Sequence, residues 1–149
     1  MGSIARLSHV GFNVQREQFD SECEFWENVV GLAVSHRVPD QNCFFRADPL
    51  RDHEFILFAV DGPVTKFGEA GYMLGHVSFD VATDAEVDAL VERLIAHGGV
   101  LESSGRGRRR SQVISPAGIR FEINTPPYTS PRPRDADAQP ALSGSRAAG

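Results

Sequence analysis

The sequence predicts an α+β fold made of two βαβββ units, and three observations predict it. Leu7-Ser-His-Val-Gly-Phe-Asn-Val14 recurs 67 residues later as Leu74-Gly-His-Val-Ser-Phe-Asp-Val81, with five of eight positions identical. Each copy alternates apolar and polar residues in the period of a strand. Each is followed by an apolar stripe at helical spacing that ends at a glycine, Gly31 or Gly98, again 67 residues apart. Three further strand-like stretches follow each helix. An internal repeat of this size outweighs any single propensity.

Residues 6–14 read as the first strand, with Val10, Phe12 and Val14 on one face and His9, Gly11 and Asn13 on the other. Gln15 to Phe19 read as a polar turn. Ser21 and Glu24 then have the spacing of a capping box. Phe19, Cys23, Trp26 and Val30 supply the helical stripe. Residues 32–38, 42–47 and 53–60 read as strands, and Asp61-Gly62-Pro63 closes the unit.

A loop containing Gly68 and Gly71 leads into the second unit. Its first strand covers 73–81, with Val77, Phe79 and Val81 opposing His76, Ser78 and Asp80. Thr83 and Glu86 form a second capping box. The helix stripe is Val87, Leu90, Val91, Leu94 and Ile95. Strands follow at about 99–103, 110–115 and 119–124, the last two joined by the tight turn Ser115-Pro-Ala-Gly118. From Thr125 the chain turns to Pro, Arg, Ala, Asp, Ser and Gly without an apolar period. The expectation is one domain over 1–125, with repeat units at about 4–62 and 72–124, and a disordered tail over 126–149.

Composition narrows the function. A chain of 149 residues that is 41% hydrophobic can build one proper core. No apolar run approaches the roughly 18 residues of a membrane span. The N-terminus lacks the apolar stretch of a secretory signal. Cys23 and Cys43 have no CxxC spacing and are expected to be free buried thiols in a reducing cytoplasm. A net charge of −5 argues against nucleic acid as a partner.

The last strand, Ile119-Arg-Phe-Glu-Ile-Asn124, sets Ile119, Phe121 and Ile123 against Arg120, Glu122 and Asn124. Glu122 therefore points the way His9 and His76 point in their strands. Each histidine alone would read as an ordinary strand residue beside a satisfied partner. Recurrence at one place in a repeat, with a matching carboxylate, favours a metal site instead. Two imidazoles and one carboxylate with open positions form the facial-triad pattern of non-haem Fe(II) oxygenases. Mn(II) or Zn(II) would also accept it.

The paired units, the histidine opening each, and Pro116-Ala-Gly-Ile-Arg-Phe-Glu122 resemble the vicinal oxygen chelate superfamily, which spans glyoxalase I, extradiol dioxygenases, fosfomycin-resistance enzymes and metal-free bleomycin-binding proteins. The resemblance covers residues 4–124. It implies a bowl of curled mixed sheet, in which His9, His76 and Glu122 hold a divalent metal that chelates vicinal substrate oxygens. The fourth protein ligand of glyoxalase I falls on or near Phe58, which leaves a three-ligand site. Arg51-Asp-His-Glu-Phe-Ile-Leu57 resembles the extradiol segment that carries the acid/base histidine, here His53. The other reading of His53 is a surface residue at a strand edge.

The pattern also departs from the extradiol one. Gln112 stands where a tyrosine is expected and Ser103 where a further histidine is expected. Gly105-Arg-Gly-Arg-Arg-Arg110 reads either as a solvated hairpin or as a clamp for an anionic substrate. The resemblance thus implies a cytoplasmic extradiol-type dioxygenase acting on a small catechol-like or vicinal-oxygen substrate with Fe(II). The alternatives are a glyoxalase-like lyase, isomerase or resistance enzyme, or a metal-free binding protein. Small members often form homodimers, which is the expectation here by analogy. Deleting residues after about 127 should leave melting temperature and activity nearly unchanged. A large drop in thermal unfolding would show that the tail docks.

Overall fold

The structure is a computed structural model that describes residues 7–72, 75–104 and 110–125, without the side chains of Ser103, Ser104 and Arg110. The first six residues, most of the basic run and the expected tail lie outside the described residues.

The first unit comprises β1 (Val10–Gln15), α1 (Arg16–Glu24) continued by a π-helical segment (Phe25–Val30), β2 (Ala33–Val38), β3 (Asn42–Arg46) and β4 (Phe55–Val60). The second comprises β5 (Val77–Asp80), α2 (Asp84–Ala96), β6 (Val100–Ser104), β7 (Arg110–Ile114) and β8 (Arg120–Asn124). Each unit forms a four-stranded mixed sheet, ordered β1-β4-β3-β2 and β5-β8-β7-β6. The first strand of each unit runs parallel to its last, and the remaining pairs are antiparallel. Even the irregularities repeat. The register shifts between Val34 and His36 in one unit and between Leu101 and Ser103 in the other, positions 67 apart.

The helix ends follow local chemistry. Thr83 and Glu86 form the expected capping box: the Glu86 N–H donates to Thr83 Oγ1 and the Thr83 N–H donates to Glu86 Oε2. Gly31 and Gly98 take positive φ of 96° and 91°, the left-handed conformation that ends a helix without a Cβ clash. Arg93 O bonds to Nδ1 of His97, which caps the last turn of α2.

Some sequence expectations need correction. Helix α1 begins at Arg16, with no side-chain cap, so Ser21 and Glu24 do not form a capping box. Ser21 lies inside the helix and its hydroxyl donates back to Gln18 O. The stripe also shifts: Phe25, Trp26 and Val29 are buried while Val30 is only half-buried. The π-helical turn widens the helix, with the Gly31 N–H donating to Trp26 O, five residues back, and this rotates the inward face. Ile95 is exposed rather than part of the α2 stripe. Strands β1 and β4 begin at Val10 and Phe55, because their parallel ladder starts there, so His9 and His53 precede the strands.

One core serves both units. Trp26 is fully buried, with ring centroids 4.3 Å from Phe55 of β4, 4.8 Å from Phe121 of β8 and 5.8 Å from Phe79 of β5. Burying an indole of this size is worth about 4–6 kcal/mol by area. Polar contacts fix how the units meet. The Trp26 indole N–H donates to Glu22 Oε1 (2.8 Å), and the backbone N–H of Ala117 donates to Glu22 Oε2 (2.9 Å). Arg93 of α2 donates to Val29 O at 2.7 Å. Cys23 and Cys43 are buried free thiols, and the hydrogen bond between them, together with burial, pushes the Cys23 thiol up. Among the described residues no helix is long and apolar enough to cross a membrane.

Glu22 is 1% exposed, and burial raises its carboxyl pKa above the ordinary 4.5, more than its hydrogen bonds lower it. Glu22→Ala should cost about 2–4 kcal/mol in urea unfolding, because two buried N–H groups lose their acceptor. The pH dependence has a defined sign. A carboxyl whose folded pKa is raised stabilises the fold fully below the unfolded value, and that contribution is lost as pH rises through the folded value. The stability gap between wild type and Glu22→Gln should therefore widen from pH 7 down towards pH 4.5. A gap that stays constant or narrows would refute this assignment.

Candidate functional site

The first half of the site sits at the opening of β1. His9 is exposed just before the strand, where the Val10 N–H donates to Glu54 O at 3.0 Å. This contact starts the β1–β4 ladder and draws residues 52–54 alongside His9. The His53 ring lies 4.9 Å from that of His9 and meets Phe44 edge-on at 5.0 Å. His53 Nδ1 is 2.7 Å from Asp52 Oδ2. That pairing orients the ring and turns Nε2 away from Asp52.

The same face of the sheet carries Phe58 over Gly11. A Cβ added to Gly11 would stand 2.8 Å from the Phe58 ring, so glycine there makes room for the phenyl group. The position expected for a fourth protein ligand is thus filled by an apolar ring.

The second half is built on β5, β7 and β8. Ser78, Glu122, Gln112 and Ser103 lie in one backbone row across that sheet. Glu122 is 2% exposed although it faces away from the aromatic core. Gln112 Nε2 donates to its Oε2 (3.1 Å) and Asn124 Nδ2 donates to its Oε1 (2.9 Å). Asn124 Nδ2 also donates to Ser78 Oγ. Arg120 spreads over this face, contacting Glu102 Oε2 (2.6 Å), Gln112 Oε1 (2.7 Å) and Gly75 O (3.1 Å). His76 is exposed, two residues before Ser78 and therefore on the face of Glu122.

A cavity of about 530 Å³ lies between the halves, lined by His9, Arg51, Glu54, Ser78 and Asp80. Arg51 pairs with Glu54 at 3.2 Å and with Asp48 at 3.9 Å. His9 and His53 are thus brought together, and His76 and Glu122 share the other unit's face. Among the described residues no group of three or more His, Cys, Asp or Glu stands close enough to hold a metal ion. His9, His76 and Glu122 are therefore not closed into one ligand set within this chain.

The donor chemistry still suits a divalent cation. A carboxylate offers about four lone-pair sites, more than the Gln112 and Asn124 amides occupy. Asn124 Oδ1, beside that carboxylate, is buried with no hydrogen-bond partner among the described residues. Imidazole and carboxylate together match Mn(II), Fe(II) and Zn(II).

Sequence reading placed Arg120, Glu122 and Asn124 on one face but did not find what holds Glu122. That depends on the β7–β8 register, which pairs Gln112 with Glu122. It also missed the buried Glu22, for which a signal existed: Glu22 lies on the stripe of Phe19, Cys23 and Trp26 at i, i+3, i+4 and i+7. Most of the basic run, a candidate anion clamp, lies outside the described residues.

Comparison with known proteins agrees with this architecture. A family model described as the Glyoxalase/Bleomycin resistance protein/Dioxygenase superfamily matches residues 6–123. A search of curated proteins returned no match. Among solved structures, a lactoylglutathione lyase from Agrobacterium tumefaciens superposes with TM-score 0.61 at 22% identity, covering 84% of this chain and 96% of that one. A glyoxalase-related enzyme from Fulvimarina pelagi gives TM-score 0.64 at 20% identity over 83% and 90%. The fosfomycin resistance protein FosX from Listeria monocytogenes, complexed with Mn(II) and sulfate, gives TM-score 0.63 at 19% identity over 82% and 90%.

Proposed function

The chain belongs to the Glyoxalase/Bleomycin resistance protein/Dioxygenase superfamily, and from that premise we propose that it is a divalent-metal-dependent enzyme of the lyase, isomerase or resistance kind. The observation that carries this reading is the repeated geometry: a histidine opens each unit at the same place, and a buried, doubly held Glu122 shares the face of His76. His9, His76 and Glu122 would hold the metal, which when bound supplies a Lewis acid for two vicinal oxygens of a small substrate. Mn(II) is the first candidate, because a FosX neighbour binds it. The homodimer belongs to the same proposal and is read by sedimentation.

The rest of the chemistry falls to this chain's side chains. Asp52 holds His53 Nδ1, so Nε2 is the nitrogen that would take and return a substrate proton. Phe58 and Phe44 give the His9 side an apolar wall that excludes water from that proton. Gln112 and Asn124 keep the carboxylate of Glu122 from rotating. Phe58, standing where a fourth ligand is expected, favours resistance-type or other three-ligand chemistry over that of glyoxalase I.

The second reading is an extradiol dioxygenase using Fe(II). The observation favouring it is the contact of His53 with His9, which sets an acid/base imidazole beside a candidate ligand.

The test begins with metal-free protein titrated with Mn(II). One equivalent should bind per chain, and His76→Ala should lose most of it while remaining folded. Wild type is then assayed for formation of lactoylglutathione, for fosfomycin opening and, loaded with Fe(II), for O₂ uptake on a catechol panel. Turnover in either of the first two supports the main reading, and O₂ uptake supports the second. Failure to bind Mn(II), Fe(II) or Zn(II) would refute both and leave a metal-free binding protein. In whichever assay is active, His53→Ala should keep the metal and lose roughly 10²–10⁴-fold in turnover.

A further inference from the structure

We propose that Arg120 is the positioning residue for the second unit's half of the site. Through Gln112 it decides how Glu122 is held, and through Gly75 it holds the backbone that carries His76. This rests on the reading of His76 and Glu122 as metal ligands.

A primary amide has one accepting end and one donating end. The oxygen of Gln112 is occupied by Arg120 Nη2 at 2.7 Å. Its nitrogen therefore faces the other way and donates to Glu122 Oε2 at 3.1 Å. A flipped amide would set N–H groups against a guanidinium and an oxygen against a carboxylate, and both contacts are repulsive. The guanidinium thus selects the rotamer in which Gln112 donates. Asn124 holds the other carboxylate oxygen at 2.9 Å, so the plane of Glu122 is fixed from both ends.

The reach of Arg120 explains why arginine stands there. It sits on β8, its Nε contacts Glu102 on β6, its Nη2 contacts Gln112 on β7, and its Nη1 contacts the carbonyl of Gly75, one residue before His76. One planar fork therefore ties all four strands of the sheet, counting the lead-in to β5. The guanidinium carbon lies 4.5 Å from the Phe67 ring centroid, which braces the plane. A lysine offers a single point charge and cannot hold three acceptors in this fork. Residues that orient ligands in this manner are typically worth roughly 10–100-fold in metal affinity.

The experiment uses the full chain in two arms. In metal-free protein, hydrogen exchange of the Gln112 side-chain amide is followed by NMR. Arg120→Lys should speed that exchange by about tenfold or more, since the fork that pins the amide is gone. In the second arm Mn(II) is titrated into wild type, Arg120→Lys and Gln112→Leu, each shown to be folded by its thermal transition. Both variants should bind roughly 10–100-fold more weakly than wild type. Unchanged amide exchange in Arg120→Lys overturns the proposal, as does wild-type Mn(II) affinity in both variants. Should Arg120→Lys not fold, Gln112→Leu carries the affinity arm alone. Failure of wild type to bind Mn(II) would overturn the metal reading itself. It is told apart from failure of the relay because the exchange arm still reports whether Arg120 pins Gln112 onto Glu122.

Discussion

The carboxylate of Glu22 is the contact on which the arrangement of the two units depends. Its sheet-to-sheet neighbours are apolar, and apolar contact is non-directional. Trp26 has ring contacts in both sheets and provides most of the attraction. Attraction alone would let one unit slide over the other. Glu22 takes one hydrogen bond from the Trp26 indole and one from the backbone of Ala117, so it sets both the rotation of the indole and the seat of the Ser115–Gly118 turn. That turn leads directly into β8 and therefore into Glu122. A buried polar group in the first unit thus controls where the second unit presents its carboxylate. Burying Glu22 has a cost, visible in its raised carboxyl pKa, and the gain is a unique docking geometry.

The two units share a backbone plan but divide the chemistry. Strand order, parallel pairing and even the register shift recur 67 residues apart. The faces that carry His9 and His76 do not. Around His9 the neighbours are rings: His53, Phe44 and, further along the face, Phe58 over Gly11. Around His76 and Glu122 they are hydrogen-bonding groups: Arg120, Gln112, Asn124 and Ser78. One half can exclude water and move a proton, and the other can hold a charge in place. A duplicated scaffold supplies two equivalent faces, and the side chains along alternate strand positions make them unequal.

The sequence by itself determined the elements that rest on local rules. Alternation along Val10–Val14 and Val77–Val81 gives the strands their buried sides, and Gly31 and Gly98 end the helices because a positive φ is needed there. Thr83 and Glu86 cap α2 through contacts three residues apart. The repeat extends those local signals to the architecture. The tertiary structure alone decided what depends on neighbours distant in the chain. The π-helical turn after Glu24 follows from seating both Phe25 and Trp26 in a core shared by two sheets, which no helical period announces. Glu22 is acceptable on an apolar stripe only because Ala117, 95 residues away, brings it an N–H. Gln112 meets Glu122, and Arg120 meets Gly75, only once strand register is set, and register is a property of paired strands rather than of either one. Residue types declare what chemistry is available. The contacts that orient them are made across the sheet, where sequence distance carries no information.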